Sequence, residues 1–470
     1  MLLEPRPLDV PAPAATRGWS LVLLGCLALA ALSLLAPSAP TYDPWAWIIW
    51  GREITQLDLV TTTGPSWKPL PALFTVPFAL FGDAAPALWL VVARAGGLLG
   101  IVFAFLVARR LGGLVAGGAA AGALVLAPWL FKNTALGNSE GLMAAAVLGA
   151  VDRHLAGRRF QAFGLGLAAA LLRPEAWPFF GLYGLWLAWR ERGRALALVA
   201  AGFASLPVLW LGPELWGSGN LNRASDRAQE PNANSPAFAE HPALEVVGNA
   251  ARMISVPVAI GLGCVLVILV LRRPAAGGHA RVVGALAAMA VAWLGVVAYM
   301  TANGFSGNQR YLVMPVTLAV VVGAVGVGWL ARAWGDLAAR GRGLTVAAAA
   351  LVAVAFTVPS WGGTAVMFES LEYQGRLHDD LELVVADAGG AAAVRDCGQA
   401  STGAFLVPAV AWHLRVHAQD VGLTPTRPGV VFRVRTNPIS SAVPPLGDFA
   451  LGPARTLAAR ENWRLLGACR

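Results

Sequence analysis

Residues 42–71 read YDPWAWIIWGREITQLDLVTTTGPSWKPLP, and they form the first long segment of the chain that is not continuously hydrophobic. The segment follows an uncharged run at 19–37 that is long enough to cross a bilayer. It holds two carboxylates, Asp43 and Asp58, and a lysine, Lys68, placed directly before a proline. Because these polar groups lie at the exit of a membrane helix, the segment is the first candidate for chemistry.

The whole chain has the composition of a polytopic membrane protein. Of its 470 residues, 57% are hydrophobic and 13% are charged, and the mean hydropathy is +0.62. A water-soluble fold could not cover so much apolar surface with so few ionic groups. We interpret the run at 19–37 as a retained first helix, with a cleaved signal peptide as the alternative. The net charge of +9 is mostly arginine, and no nucleic-acid partner is expected.

Arginine clusters in alternate short connections orient the chain. They lie at 109–110, 153–159, 190–194, 272–281 and 332–342. The positive-inside rule places these connections in the cytoplasm. Eleven spans are predicted between them, at 18–36, 86–108, 113–131, 141–156, 160–173, 175–189, 195–212, 251–271, 282–301, 312–331 and 343–360. We therefore expect a plasma-membrane protein with a cytoplasmic N-terminus and an external C-terminus, in which the short fourth to sixth spans are tilted, broken or merged.

The sequence predicts three parts. Residues 1–17 are expected to be a disordered cytoplasmic tail, and 18–360 an all-α membrane domain whose first external loop is 37–85. From 361 to 470 the composition becomes that of a soluble protein, which indicates a small external α/β or α+β domain. The external connection at 213–250 is rich in Asn, Ser and Pro and lacks helical periodicity, so we expect a mobile loop and a candidate lid.

The four cysteines agree with this orientation. Cys26 and Cys264 lie inside predicted spans, where a thiol behaves as a small apolar group. Cys397 and Cys469 lie in the external part, where oxidation is permitted, so we expect a disulfide between them; two unpaired thiols are the alternative. No metal-ligand spacing is visible, and no cofactor is expected, although a divalent metal stays an open alternative.

The first loop supplies three candidate site residues. Asp43 could be a solvated marker of the membrane boundary, but the aromatic-rich helix expected at 44–57 would lie in the membrane interface and hold it at headgroup depth. Asp58 either ends that helix or has a supporting role. Among 35 basic residues only two are lysines, Lys68 and Lys132, and both lie on the predicted outer side. Lysine offers a compact charge that suits a phosphate oxygen.

Three more distant connections supply further candidates. Glu140 opens the fourth predicted span, where the helix dipole alone would favour an acid, but a carboxylate so close to lipid is costly unless it faces a polar cavity. Arg173 and Glu175 flank a proline and could be a self-paired helix break. Arg310 and Tyr311 stand at the outer end of a span, where they could position a phosphate or be a snorkelling arginine and an interfacial tyrosine.

Taken together, the order and topology of these residues resemble the GT-C superfamily of integral membrane glycosyltransferases. The closest pattern is the branch of protein mannosyltransferases and lipid A aminoarabinose transferases. Asp43 matches the acid that opens its first external loop, and the run from Trp67 to Leu70 resembles its closing lysine-proline motif. Glu140 and the pair at 310–311 match its later acidic and arginine-tyrosine positions. The resemblance implies a polyprenyl-phosphate-linked sugar as donor and an envelope glycan, lipid or protein as acceptor, within membrane lipids.

We therefore predict an inverting transfer at the outer face, because one carboxylate base and cations at the phosphate suffice for this reaction. The predicted roles are general base for Asp43, donor-phosphate binding for Lys68, Arg310 and Tyr311, and substrate orientation for Asp58, Glu140, Lys132, Arg173 and Glu175. Two other classes use the same residues differently. A transporter or lipid flippase would line a path with them, and a non-catalytic envelope-assembly protein would not need them.

Overall fold

The computed structural model of the protein describes residues 15–271, 278–338, 342–435 and 454–469. Most of the predicted tail at 1–17 lies outside these residues. Eighteen α helices are described: α1 Ala15–Leu32, α2 Tyr42–Thr55, α3 Pro69–Ala79, α4 Ala85–Gly112, α5 Leu114–Val125, α6 Pro128–Ala135, α7 Glu140–Leu155, α8 Arg159–Ala170, α9 Trp177–Glu191, α10 Arg194–Ser218, α11 Arg223–Ala228, α12 Pro242–Arg252, α13 Val256–Leu271, α14 Gly278–Ala302, α15 Gln309–Ala338, α16 Arg342–Asp387, α17 Gly390–Cys397 and α18 Val407–Leu414. The described strands are β1 Gln399–Ser401, β2 Gly429–Val434, β3 Arg455–Ala459 and β4 Trp463–Ala468.

The protein is a multi-pass membrane protein. Within the described ranges, five helical segments are long and apolar enough to cross a membrane: Gly18–Leu35, Gly82–Gly112, Arg194–Ser218, Gly278–Ala302 and Gln309–Trp334. Two bent pairs, α5 with α6 at 60° and α12 with α13 at 108°, raise the number to seven if each pair is one span. The bend before α6 is explained by Pro128 at its first turn, because proline cannot continue the hydrogen bonding of α5.

The predicted number of eleven spans is not confirmed. Helices α7, α8 and α9 have 16, 12 and 15 residues. At about 1.5 Å per residue each is shorter than the ~30 Å hydrocarbon core. The predicted span at 343–360 falls within α16, in a part whose side chains lie outside the described residues.

Close packing of α4 against α7 positions the start of α7. A Cβ atom built on Gly141 would lie 2.8 Å from the Cα of Gly97, so the crossing requires glycine at 141, whereas a Cβ atom at Gly97 would meet Thr134 of α6. Gly100 lies one turn further along α4 and faces Ala144. Small residues at a helix crossing allow the two backbones to approach closely, as in other membrane helix pairs. This contact places Glu140, the first residue of α7, next to the middle of α4.

Helix α2 is buried inside the protein, in contrast to the exposed interfacial helix expected from its tryptophans. Trp45, Trp47 and Trp50 are each at most 3% exposed. They belong to a core that α2 shares with α3, α4 and the C-terminal region. Buried residues follow one another without interruption from Pro44 to Gly51. A helix that is apolar on every side is a core helix, and the sequence alone could not show which element covers it.

The C-terminal region is a small mixed α and β unit. Together with the helical membrane part, it confirms the predicted fold class apart from the number of spans. Its sheet has the order β1-β2-β4-β3, in which β1 pairs with β2 in parallel and the remaining pairs are antiparallel. A disulfide joins Cys397 at the end of α17 to Cys469 after β4. The predicted domain boundary at 361 lies inside α16, because one 46-residue helix connects the last predicted span to the sheet region.

Candidate active site

Side chains from distant parts of the chain line one cavity of about 740 Å³. The cavity lies where the ends of membrane helices meet the C-terminal region, which contributes Ala404 and Phe405. Seven of the residues singled out in the sequence line it: Asp43 from α2, Lys68 before α3, Lys132 from α6, Arg173 and Glu175 between α8 and α9, and Arg310 and Tyr311 from α15. The structure thus brings most of the predicted site residues together. The two that do not line the cavity are Glu140 and Asp58.

Arg310 links two carboxylates at the centre of the site. Its Nη1 donates to Oδ2 of Asp43 over 2.8 Å, and its Nε donates to Oε1 of Glu140 over 2.9 Å. The third nitrogen, Nη2, is buried and has no hydrogen-bond partner among the described residues. Asp43 itself lies in the first turn of α2, where the helix dipole favours a negative charge. The contacts leave one guanidinium nitrogen and Oδ1 of Asp43 without a hydrogen-bond partner in the described part of the chain.

Glu140 lies behind the cavity wall and is only 1% exposed. Besides Arg310, it accepts a hydrogen bond from Nη2 of Arg173 over 2.6 Å. Removing a carboxylate from water is costly, and two guanidinium groups compensate for this cost here. Glu140 therefore neutralises and positions the two arginines, and its role in orienting a substrate hydroxyl stays a prediction.

Lys68 is held between α3 and α7. Its Nζ donates to Oγ of Ser139 over 3.2 Å and lies 5.1 Å from the ring centre of Trp47. Burial, together with the charges of Arg173 and Arg310, lowers the pKa of Lys68 to about 7, while Asp43 and Glu140 oppose the shift. An arriving anion would favour the ammonium form, so this lysine can gain a proton when such a ligand binds.

Arg173 and Glu175 form a pair, as one sequence interpretation expected, but the pair belongs to the larger cluster. Their closest nitrogen and oxygen atoms lie 3.4 Å apart, and the Arg173 guanidinium lies 4.7 Å from the ring centre of Tyr311. Glu175 Oε2 is buried without a hydrogen-bond partner among the described residues. The stacking on Tyr311 fixes the plane of the guanidinium, which is a role that lysine could not fill.

Comparison with solved structures identifies the architecture. ArnT from Cupriavidus metallidurans bound to undecaprenyl phosphate superposes with a TM-score of 0.55 at 15% identity, over 96% of this chain and 98% of that one. Its apo structure gives the same TM-score at 16% identity and the same coverage of both chains. The chain has the GT-C fold. The fold predicted from the sequence resemblance is thereby confirmed.

The oligosaccharyltransferase of Archaeoglobus fulgidus has a TM-score of 0.41 at 14% identity, over 77% of this chain and 58% of that chain. By sequence, no protein-family model and no curated protein matches the chain. Its membership of the GT-C fold therefore rests on the three-dimensional arrangement.

Asp58, unlike Glu140, has no contact with the charged cluster around Arg310. It is 68% exposed, and its carboxylate lies 3.3 Å from Nε2 of His417 in the C-terminal region. Asp43 lies in the first turn of α2 and Asp58 follows the end of this 14-residue helix, so the helix separates the two carboxylates by about 20 Å. The prediction that Asp58 orients a substrate has no support from this position.

Sequence reasoning missed a buried network that holds the loop before Lys68. Arg223 of α11 donates to the carbonyl oxygens of Pro65 and Gly64 over 2.6 and 3.0 Å. Glu214 of α10 accepts from Thr61 over 2.9 Å, and its other oxygen lies 3.5 Å from Arg223. A glutamate near the end of a long apolar helix was the available signal, since such a residue needs a partner. The network fixes the backbone that leads to Lys68.

The connection at 213–250 contains more helix than expected. It contains α11 and most of α12, so the predicted lack of helix is wrong for these two segments. Residues from Leu221 to Asn232 line the cavity, among them Arg227, which donates to the carbonyl oxygen of Gly64 over 3.2 Å. The segment therefore covers one side of the site, while its role as a moving lid stays a prediction.

A histidine connects the C-terminal region to the loop that carries Asp43. His417 contacts Glu53 of α2 through Nδ1 at 2.8 Å and Asp58 through Nε2. Burial alone would lower the pKa of His417, but Glu53, Asp58 and Asp420 raise it above its usual 6.5. Burial raises the pKa of Glu53. A raised histidine pKa gives stability that is fully present below pH 6.5 and lost as the pH rises through the folded-state value.

We expect the C-terminal region to dock on α2 more weakly as the pH rises above 6.5, by about 1 kcal/mol for this partly exposed pair. Limited proteolysis or hydrogen exchange between pH 6 and pH 9 measures this, and His417→Gln should flatten the profile. His241→Gln, at the start of α12, serves as the control. An equally steep pH profile in His417→Gln would contradict the assignment.

Within the described ranges, no group of three or more His, Cys, Asp or Glu side chains is arranged to hold a metal ion.

Proposed function

We propose that the protein is an inverting glycosyltransferase that moves a sugar from a polyprenyl-phosphate donor to a hydroxyl of an envelope glycan, lipid or protein at the outer face of the plasma membrane. The observation that carries the proposal is the placement of Asp43 in the same cavity as Lys68, Arg173 and Arg310. This arrangement combines one candidate base with several cations. The fold shared with ArnT, solved with undecaprenyl phosphate bound, supports it.

The charge of the cavity favours an anionic ligand. Five basic residues line it: Lys68, Lys132, Arg173, Arg227 and Arg310. Three acidic residues do so: Asp43, Glu175 and Glu230. With Glu140 behind the wall included, the five basic groups still outnumber four acidic ones, and a net positive charge in a concave site attracts a negative group such as a phosphate.

The shape of the cavity suits a headgroup whose lipid tail stays outside. A volume of about 740 Å³ falls in the range of small-molecule sites. It holds a sugar and a phosphate but no long isoprenoid chain. Trp177 of α9 and Leu211 of α10 line the cavity and are 38% and 40% exposed. The cavity thus reaches the outer surface of two apolar helices, which is where a membrane-embedded tail would lie.

The proposed reaction needs a base but no acid. Asp43 accepts the proton of the acceptor hydroxyl through Oδ1 while Arg310 holds Oδ2. The hydroxyl oxygen forms the new bond to the anomeric carbon as the bond to the phosphate oxygen breaks. The phosphate leaves as an anion that Lys68, Arg173 and the unpaired Nη2 of Arg310 stabilise. Attack from the face opposite the phosphate inverts the anomeric configuration.

The deciding experiment incubates the purified protein in nanodiscs with a panel of labelled polyprenyl-phosphate sugars and envelope acceptors. We expect transfer from at least one donor, with inversion measured by NMR of the product. Movement of a labelled lipid between leaflets without transfer would instead indicate a flippase. Absence of both activities would overturn the proposal in favour of a non-catalytic assembly role.

Lys68 makes a further expectation testable without turnover. Because its pKa is about 7, binding of undecaprenyl phosphate at pH 7.5 should take up protons, and affinity should fall as the pH rises above 7. Calorimetry in two buffers of different ionisation enthalpy measures the uptake. Lys68→Arg should abolish most of it, because arginine stays charged throughout this range. Lys132→Arg, which changes the other lysine of the same cavity, should not; equal uptake in Lys68→Arg protein would refute the assignment.

A further inference from the structure

A second cavity of about 880 Å³ lies between the membrane helices and the C-terminal region. In the described part of the chain it shares no lining residue with the candidate active site. Its walls are the end of α1 and the residues after it, the start of α4, and the facing parts of α16, α17 and α18. The proposed transfer reaction does not use it.

The cavity lies at the membrane boundary. Two candidate spans, Gly18–Leu35 and Gly82–Gly112, end and begin beside it. Leu35 lines the cavity and is 87% exposed, and Leu32 and Leu29 of α1 are 61% and 58% exposed. Only 11% of this first span is buried inside the protein. An apolar strip therefore runs along α1 directly to the cavity, as an acyl chain requires.

The wall formed by the C-terminal region carries charges of both signs. Arg395 and Arg415 line it, and so do Asp379 and Glu382, which are three residues apart on one face of α16. Neither of these two carboxylates forms an ion pair with a described residue. Arg415 forms a weak ion pair with Asp83, which also lines the cavity, with 3.7 Å between Nη2 and Oδ2.

Two histidines complete the wall without adding charge. His378 and His413 lie with their ring nitrogens 3.3 Å apart. Burial lowers the pKa of His378, and burial with the neighbouring His378 lowers the pKa of His413 to about 3. Asp379 beside His378 opposes the shift only partly. Near neutral pH the charges that face the cavity are therefore two arginines and three carboxylates.

We propose that this cavity binds the headgroup of an ethanolamine phospholipid. The lipid phosphate lies at Arg395 and Arg415, the ammonium lies at Asp379 and Glu382, and the acyl chains follow the exposed leucines of α1. A primary ammonium donates hydrogen bonds that the carboxylates accept, whereas a choline headgroup has no such donor. A purely anionic lipid would place its charge among three carboxylates, which disfavours it.

The site adjoins the element that carries the candidate base. Trp45 of α2 lies 5.0 Å from His378 and 6.0 Å from Trp412, measured between ring centres, and both of these residues line the cavity. Asp43 lies two residues earlier on α2, on the other cavity. A bound lipid would therefore strengthen the docking of the C-terminal region on α2 from the side opposite the reaction.

The test uses the full-length protein in nanodiscs that contain equal parts of ethanolamine, choline and glycerol phospholipids. Native mass spectrometry of the released protein should show retained ethanolamine lipid above its bulk fraction. Asp379→Asn combined with Glu382→Gln should reduce this enrichment by about tenfold, the loss expected for a charge-assisted hydrogen bond. Glu369→Gln, an exposed change on the same helix outside the cavity, should leave it unchanged.

Each other outcome counts against the proposal. Retained lipid of bulk composition, enrichment of glycerol lipid, or equal enrichment in the double variant would overturn it. Both substituted carboxylates are exposed, and the unfolding temperature of the variants confirms that they fold. A final measurement adds free phosphoethanolamine instead of the lipid. If it raised the unfolding temperature as much as the lipid does, the acyl chains would play no part in binding.

Discussion

Asp43→Asn protein is expected to lose sugar transfer by a factor of about 10² to 10⁴, the usual contribution of a positioned general base. The asparagine can still accept the hydrogen bond that Arg310 donates over 2.8 Å, so this contact between α2 and α15 should persist. Donor binding should change much less than the turnover rate, because the phosphate cations are retained. Measuring kcat and donor affinity separately, on protein shown to be folded, separates the two effects.

Asp58→Asn is the matched control for this experiment. The residue lies in the same loop, carries the same charge and is 68% exposed outside the cavity. It should keep transfer at nearly the wild-type rate. If Asp43→Asn and Asp58→Asn protein were equally active, Asp43 would not be the base.

Glu140→Gln protein is expected to be less stable than wild type by about 3 to 5 kcal/mol, the range measured when one partner of a buried ion pair is removed. Glu140 is 1% exposed, and it alone accepts from both Arg173 and Arg310. Without its charge, two guanidinium groups repel each other in a buried site with only Asp43 and Glu175 to neutralise them. Unfolding followed by tryptophan fluorescence in detergent measures the loss.

The same substitution should also lower the rate of sugar transfer, because Arg173 and Arg310 lose the group that positions them. Glu245→Gln removes an exposed pair with Arg252 on α12 and should cost less than about 1 kcal/mol. A Glu140→Gln protein as stable as Glu245→Gln protein would show that the arginines have other partners. Full transfer activity in Glu140→Gln would remove Glu140 from the site.

Much of the site could be predicted because its residues are chemically out of place in the sequence. Lys68 and Lys132 are the only lysines of an arginine-rich chain. Asp43, Glu140 and Arg310 stand at the ends of apolar helices, where an ionic group needs a polar partner. Such signals are local, so they are visible without knowing how the helices pack.

The burial of α2 and the position of Asp58 could not be predicted in the same way. An apolar helix next to a membrane can be covered by lipid or by protein, and here α18 of the C-terminal region covers part of it. Asp58 and Asp43 are the same residue type in the same predicted loop, but they lie at opposite ends of α2 and therefore in different surroundings. The network of Glu214 and Arg223 was missed because each partner alone resembles an ordinary helix-end charge.

The sequence by itself determined that this is a helical membrane protein with a mixed C-terminal region, because the apolar content and the placement of charges leave few alternatives in a bilayer. It also identified most of the polar groups that meet at the cavity. The tertiary structure alone decided how they are paired. Arg310 joins Asp43 and Glu140 across 267 and 170 residues. Hydrogen bonds of under 3 Å between residues so distant in the sequence depend on how whole helices pack. No local sequence pattern predicts that packing.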